Sequence, residues 1–217
     1  MRKLTLLTLI MAFVMPAVGQ ITHTPKGAVD ENAEKTLKKA TQKINSGGLS
    51  FTVTMINKDA NKKETARQKA DVIYNKGKYR VTFGENTIYC DGTATWHWNK
   101  GTNEVVVNTM SGAEDDLMNP ASILTNYKNN FSAKFIRKEQ NGNAIIDLTP
   151  KKAKSYYKIR LTINANSGIL QKMVMHNYDS SCGEYSISNF KSNVKTNDKD
   201  FTFPKGENPE VEIIDMR

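Results

Sequence analysis

From Leu49 onward, apolar residues recur at every second position, in short runs that turn residues break about every 8–12 positions. Phe51, Val53 and Met55 alternate with Ser50, Thr52 and Thr54, and Ala70, Val72 and Tyr74 repeat the pattern. Tyr79, Val81 and Phe83 follow across an Asn75-Lys76-Gly77-Lys78 turn. Ile88 and Cys90 run into Asp91-Gly92, Trp96 and Trp98 leave it, and Val105 and Val107 come after a loop at 99–103. Alternation resumes over 131–137, 144–149, 156–164, 169–177 and 183–190, and a tail with Phe201, Phe203 and Pro204 closes the chain. A period of two admits one face to the core and one to water, which is the pattern of an up-and-down antiparallel sheet. About eleven strands are too many to stay flat, because strand twist makes so long a sheet curl. The expected class is therefore α+β, mainly β: a single curled antiparallel sheet that forms an unclosed barrel.

Two segments leave this period. Ala33, Leu37, Ala40 and Ile44 recur at helical spacing between Asp30, a good N-cap, and Gly47-Gly48, a good stop. Their apolar stripe is narrow, so this N-terminal helix is expected to lie on the sheet rather than inside a core. Asn119-Pro120 opens a second, central helix whose apolar face is Ile123, Leu124 and Tyr127. Both helices are expected to cover the inner face of the curl and make a container.

Composition and the N-terminus place this domain. Arg2-Lys3, the apolar run Leu4 to Val14 and the small residues Ala17 and Gly19 have the order of a secretory signal cleaved after Gly19. The run is well short of the roughly 20 apolar residues that span a bilayer. The expected organisation is a signal peptide at 1–19, a leader at 20–29 and one domain over 30–217, exported to the periplasm. The net charge is +9. The lysines are scattered, except for Lys151-Lys152-Ala153-Lys154, and an exported chain rarely meets nucleic acid. Anionic headgroups, an acidic partner or plain solubility suit that charge better.

Residues able to do chemistry are sparse. No nucleophile elbow, phosphate loop, dinucleotide fingerprint or zinc-protease motif occurs. His23, His97 and His176 have no ligand spacing, and His97 alternates with two tryptophans, so it should face solvent. Glu114-Asp115-Asp116 lacks calcium-loop spacing, and Ser111, Ser180 and Ser181 have no visible base. No catalytic residue, metal or cofactor is expected. A Cys90–Cys182 disulfide would close a long loop, worth up to ~4.7 kcal/mol. The strand count puts both at one rim but about six strands apart, roughly 29 Å, against the ~7 Å that a bridge allows between Cα atoms. Only strong curling would bring them together.

The inner positions are rich in aromatic and thioether side chains, which suit an ordinary core and also an adaptable apolar cavity. The candidate cavity wall is Phe51, Val53, Met55, Val72, Tyr74, Tyr79, Val81, Phe83, Trp96, Trp98, Ile159, Leu161, Met173 and Met175.

Several stretches, in order, resemble the LolA-type periplasmic lipoprotein carriers. They are Ala70 to Tyr74 with Tyr79-Arg80-Val81, and Asp91-Gly92 followed by Trp96 in a "DG-x-x-x-W" hairpin. Asn119 to Leu124 resembles the family's lid helix, and Leu148 to Lys151 a later strand. Phe201 to Gly206 resembles its "F-x-F-x-P-x-G" segment. The resemblance implies a carrier that binds acylated lipoproteins, takes them from an inner-membrane lipoprotein-releasing transporter and gives them to an outer-membrane acceptor, as a monomer. Leu37, Ala40, Ile44, Ile123, Leu124 and Tyr127 would be the lid. The family's Arg-Pro latch is replaced by Lys76-Gly77, so the latch falls to Lys76 or Arg80. The same container could instead sense a lipid or carry glycolipids. A filled exported domain that binds protein or glycan is the reading from a different class.

Overall fold

The computed structural model describes residues 30–110 and 120–217, with side chains in the second helix from Ile123 onward. The signal segment, the leader with His23, Ser111, the acidic run at 114–116 and Asn119 lie outside the described residues.

Helix α1 spans Glu31–Ile44, and the Asp30 carboxylate caps it by accepting from the Ala33 amide at 3.1 Å. Strands β1 (Leu49–Lys58), β2 (Glu64–Asn75), β3 (Lys78–Phe83), β4 (Asn86–Cys90), β5 (Ala94–Asn99) and β6 (Glu104–Thr109) then meander. Helix α2 (Pro120–Asn130) leads directly into β7 (Phe131–Lys138), β8 (Asn143–Pro150), β9 (Tyr156–Asn164), β10 (Leu170–Asn177) and β11 (Cys182–Ser192). Two short 310 turns precede β12, Glu212–Asp215. Lys76 and Gly77 both take positive φ, 49° and 89°, the left-handed pair that a two-residue hairpin needs.

The twelve strands of the described residues join one sheet in the order β12-β6-β5-β4-β3-β2-β1-β11-β10-β9-β8-β7. The chain thus builds two meanders outward from β1, and β11 closes back on β1 to weld them. The twelfth strand is a difference from the expected eleven, and it pairs parallel with β6 rather than antiparallel. Its four residues are exposed, so they carry no period-two signal of burial.

The segment from β6 to β7 carries the chain from one rim to the other, since β6 and β11 both run opposite to β1 while β7 starts at the rim where β1 ends. This corrects the expectation for the cysteines. Cys90 aligns through Tyr79 and Tyr74 with Leu49, at one end of β1, whereas Cys182 aligns with Lys58 at the other. They sit on opposite rims, four strand steps apart, and no disulfide joins them.

Candidate functional site

Residues directly opposite in a ladder share a face, so the register sorts the wall. Phe51, Val72, Val81 and Ile88 are aligned across β1 to β4, and Met55, Tyr185, Met173, Leu161 and Ile146 across β1 and β11 to β8. This is the inner face. Both helices lie on it: Leu37, Ala40, Ile123, Leu124 and Tyr127 pack with Ile159, Leu161 and Met173, and Met175 borders the same cluster. Val53, Val72, Tyr74, Tyr79 and Val81 form a second cluster with Phe51, Met55 and Phe83 at its edge. Ile44, at the end of α1, touches both.

Trp96 and Trp98 are the exceptions among the candidate wall residues. Trp96 is aligned with Tyr89, one position off Ile88, which places both tryptophans on the opposite, outer face. There Trp98 meets Phe203 edge-on at 5.3 Å, and Tyr89, Val105 and Val107 complete the patch. Alternation reveals that Trp96 and Trp98 share a face but not which face. The C-terminal segment that covers them decides it. His97 lies opposite the tryptophans and is exposed, but its alignment with Ile88 puts it on the inner side of the sheet, the reverse of the side that inward-facing tryptophans would give it.

Neither latch candidate reaches the lid. Arg80 is aligned with Ile73 and Tyr89 on the outer face, away from both helices. Lys76 is exposed in its hairpin turn. Other groups tie the lid. The Thr41 hydroxyl donates to the Leu124 carbonyl at 2.8 Å, and Lys128 pairs with Glu34 between the helices. Lys151 donates from Nζ to the Lys128 carbonyl at 2.6 Å and from its amide to the Asn130 carbonyl at 2.8 Å, capping the C-terminal end of α2. Asp30 also accepts from the Phe135 amide at 2.8 Å, so the α1 cap is fastened to edge strand β7. Lys39 Nζ donates to the Ala165 and Asn166 carbonyls at 3.2 and 2.9 Å. That contact is close because Gly168 has no side chain: a Cβ there would sit 2.8 Å from the Lys39 carbonyl oxygen, at a φ of +74°.

Between the end of α1 and the wall, an apolar crevice is lined by Ile44, Leu49, Phe51, Tyr74, Leu170 and Phe190. Its free interior is about 20 Å³, room for about one water and none for an acyl chain. Beside it, Leu37, Ala40, Leu124 and Tyr127 of the two helices pack on the wall at Ile159, Leu161 and Met173. Phe190 stacks on Phe51 at 6.3 Å, although its parity along β11 would turn it outward. A bulge there, with Asn189 at φ 53°, shifts the register and brings it in. The sequence shows no signal of that bulge, whereas Tyr185 and Ile187 were legible in the alternation of Gly183 to Ser188.

The polar groups on the inner face are few. Burial raises the Tyr74 and Tyr185 phenols above their ordinary range. The Tyr127 phenol is raised by burial too, and its hydroxyl is buried with no hydrogen-bond partner among the described residues. Among the described residues no cluster of His, Cys, Asp and Glu could hold a metal ion, and no helix is long and apolar enough to cross a membrane. The arrangement offers apolar surface beneath a cover of two helices.

Residues 26–178 match the family model described as outer membrane lipoprotein carrier protein LolA. Among solved structures, an uncharacterized conserved protein from Thermus thermophilus has the same fold. Its TM-score is 0.59 at 13% identity, over 85% of this chain and 99% of that one. A LolA superfamily protein from Nitrosomonas europaea is similar at TM-score 0.43 and 14% identity, over 79% of this chain and 97% of its own. A DUF1329 family protein from Desulfovibrio piger gives 0.45 and 10%, over 80% and 98%. No curated protein matches the sequence significantly.

Proposed function

Because the chain belongs to the family of outer membrane lipoprotein carrier proteins, LolA, we propose that it shields the acyl chains of lipoproteins and moves them through the periplasm from inner to outer membrane. The observation that carries this reading is the covered inner face: an apolar wall whose cover is two helices, tied to it and to each other by a few polar contacts. Acyl chains would take the place that Leu37, Ile123, Leu124 and Tyr127 now occupy. Each buried CH₂ is worth roughly 0.8 kcal/mol, and the helices' own apolar side chains must be exposed or re-buried in exchange. The net affinity is therefore moderate and reversible, as a carrier needs. Proteins of this family bind and carry, and here no bond is made or broken.

The proposed partners are acylated lipoproteins, an inner-membrane transporter that releases them and an outer-membrane acceptor, each meeting the protein as a monomer. Cofactors have no role in this scheme. Native mass spectrometry of protein purified from periplasm, with lipid extraction, tests it. A bound lipoprotein, or uptake of an added triacylated peptide that Leu124→Asp reduces about tenfold or more, is the expected result. A clean apo mass with no uptake would overturn the reading and leave a self-filled binding domain. Free phospholipid or glycolipid in place of lipoprotein would move it to general lipid carriage or sensing.

A further inference from the structure

Three neighbouring turns form a basic, aromatic rim at the end of the sheet where β1 finishes, and we propose that this rim docks on an anionic lipid bilayer surface. The turns are 59–63, 178–181 and 151–155, between β1 and β2, β10 and β11, and β8 and β9. The sheet order places them side by side along roughly 24 Å, at ~4.8 Å per strand. Contacts join them: Lys62 Nζ donates to the Ser180 carbonyl at 2.6 Å, and the Tyr157 and Tyr178 rings lie 5.7 Å apart. The three turns hold five lysines, Lys62, Lys63, Lys151, Lys152 and Lys154, against Asp59 and Asp179. Both aspartates are engaged by their own turns, Asp59 with the Asn61 and Lys63 amides and Asp179 with Ser181.

The two tyrosines define what this surface meets. Tyr178 is 71% exposed and Tyr157 42%, and no other aromatic side chain among the described residues is as open to solvent. Amphipathic rings flanked by lysines are the usual furniture of a membrane–water interface. Lysine is a point charge on a flexible stem, suited to mobile headgroups, whereas a specific protein interface favours the fixed fork of arginine. Two rings are also too little apolar area for the core of a stable protein interface. The positive field is felt nearby, where Lys158, Arg160 and Lys62 add to burial in lowering the His176 pKa. Docking requires no cargo, so it stands or falls apart from acyl-chain carriage.

Vesicle flotation tests the assignment, with vesicles of phosphatidylcholine alone and vesicles mixed equally with phosphatidylglycerol. The wild type should float with the anionic vesicles at low salt and not with the neutral ones. Lys63→Glu with Lys152→Glu should lower that binding about tenfold or more. Lys191→Glu with Lys195→Glu, the same charge change near the opposite rim, should leave it within about twofold. Tyr178→Ala should weaken binding severalfold at unchanged charge. Equal losses in the two double variants would reduce the effect to net charge and overturn the proposal. Failure of the wild type to float would overturn it too, leaving an acidic protein as the rim's counterpart.

Discussion

The Tyr127 hydroxyl sits under the lid, buried and without a hydrogen-bond partner among the described residues. A buried hydroxyl without a protein partner costs about 1–3 kcal/mol, and an opened lid would recover that cost by exposing the hydroxyl to solvent. The closed state is thus held less tightly than its apolar packing alone would make it. Tyr127→Phe should raise thermal stability by about 1 kcal/mol and slow acyl uptake, measured by calorimetry and by peptide-binding kinetics. Unchanged stability would mean the hydroxyl is already hydrated. Trp96 illustrates the opposite case, a large side chain that belongs to the wall's outer face. Trp96→Ala should cost about 2–3 kcal/mol by loosening the cover formed by Phe203 and Val211, yet leave acyl-peptide affinity unaltered. A matching fall in affinity would show that the outer patch, and not only the inner one, supports the container.

Among the elements, the strands are pinned by charge on the outer face while the helices are held by packing on the inner one. Glu184 on β11 accepts from Lys58 on β1 at 2.6 Å and from Lys172 on β10 at 2.7 Å, bridging the weld between the two meanders. The hydrogen bond from Lys172, then that from Lys58, holds its carboxyl below the ordinary value of 4.5. Since the folded value is the lower one, this stabilisation is full above the ordinary value and is lost as pH falls through the depressed one. Glu184→Gln should cost about 1 kcal/mol at neutral pH and nothing once both proteins are below that range, so their acid denaturation curves should converge. Parallel curves would place the cost in packing instead. Strands β1 to β11 and α1 were legible because each carries its period in its own residues, as Leu37 and Ile44 do, whereas exposed β12 carries none. What was not legible depends on distant segments: the side of the sheet that Phe203 covers, the bulge at Asn189, and the rim switch that separates Cys90 from Cys182. The lid tie at Lys151 escaped for the same reason, because it is made across the β8–β9 turn to the end of α2.

At the scale of the whole molecule, the carrier reading requires one part to be permanent and another removable, and the bonding is divided in that way. Ten of the twelve strands are hydrogen-bonded on both sides, and β1 is paired over nearly its full length to both β2 and β11. The helices take no part in the ladder, so moving them breaks no strand pairing and disrupts apolar contacts, a few side-chain bonds and the bond from the Lys151 amide to the Asn130 carbonyl. Cooperative units with fewer external ties open at lower free energy than the global unfolding step. Native-state hydrogen exchange should therefore find α2 opening at least ~2 kcal/mol more readily than β1, β10 and β11, in a step that denaturant barely accelerates. Because α1 has its own anchors at Asp30, Lys39 and Ile44, it should open after α2. If both helices exchanged only with the sheet, lid and wall would be a single cooperative unit. Acyl chains could then enter only by unfolding the container.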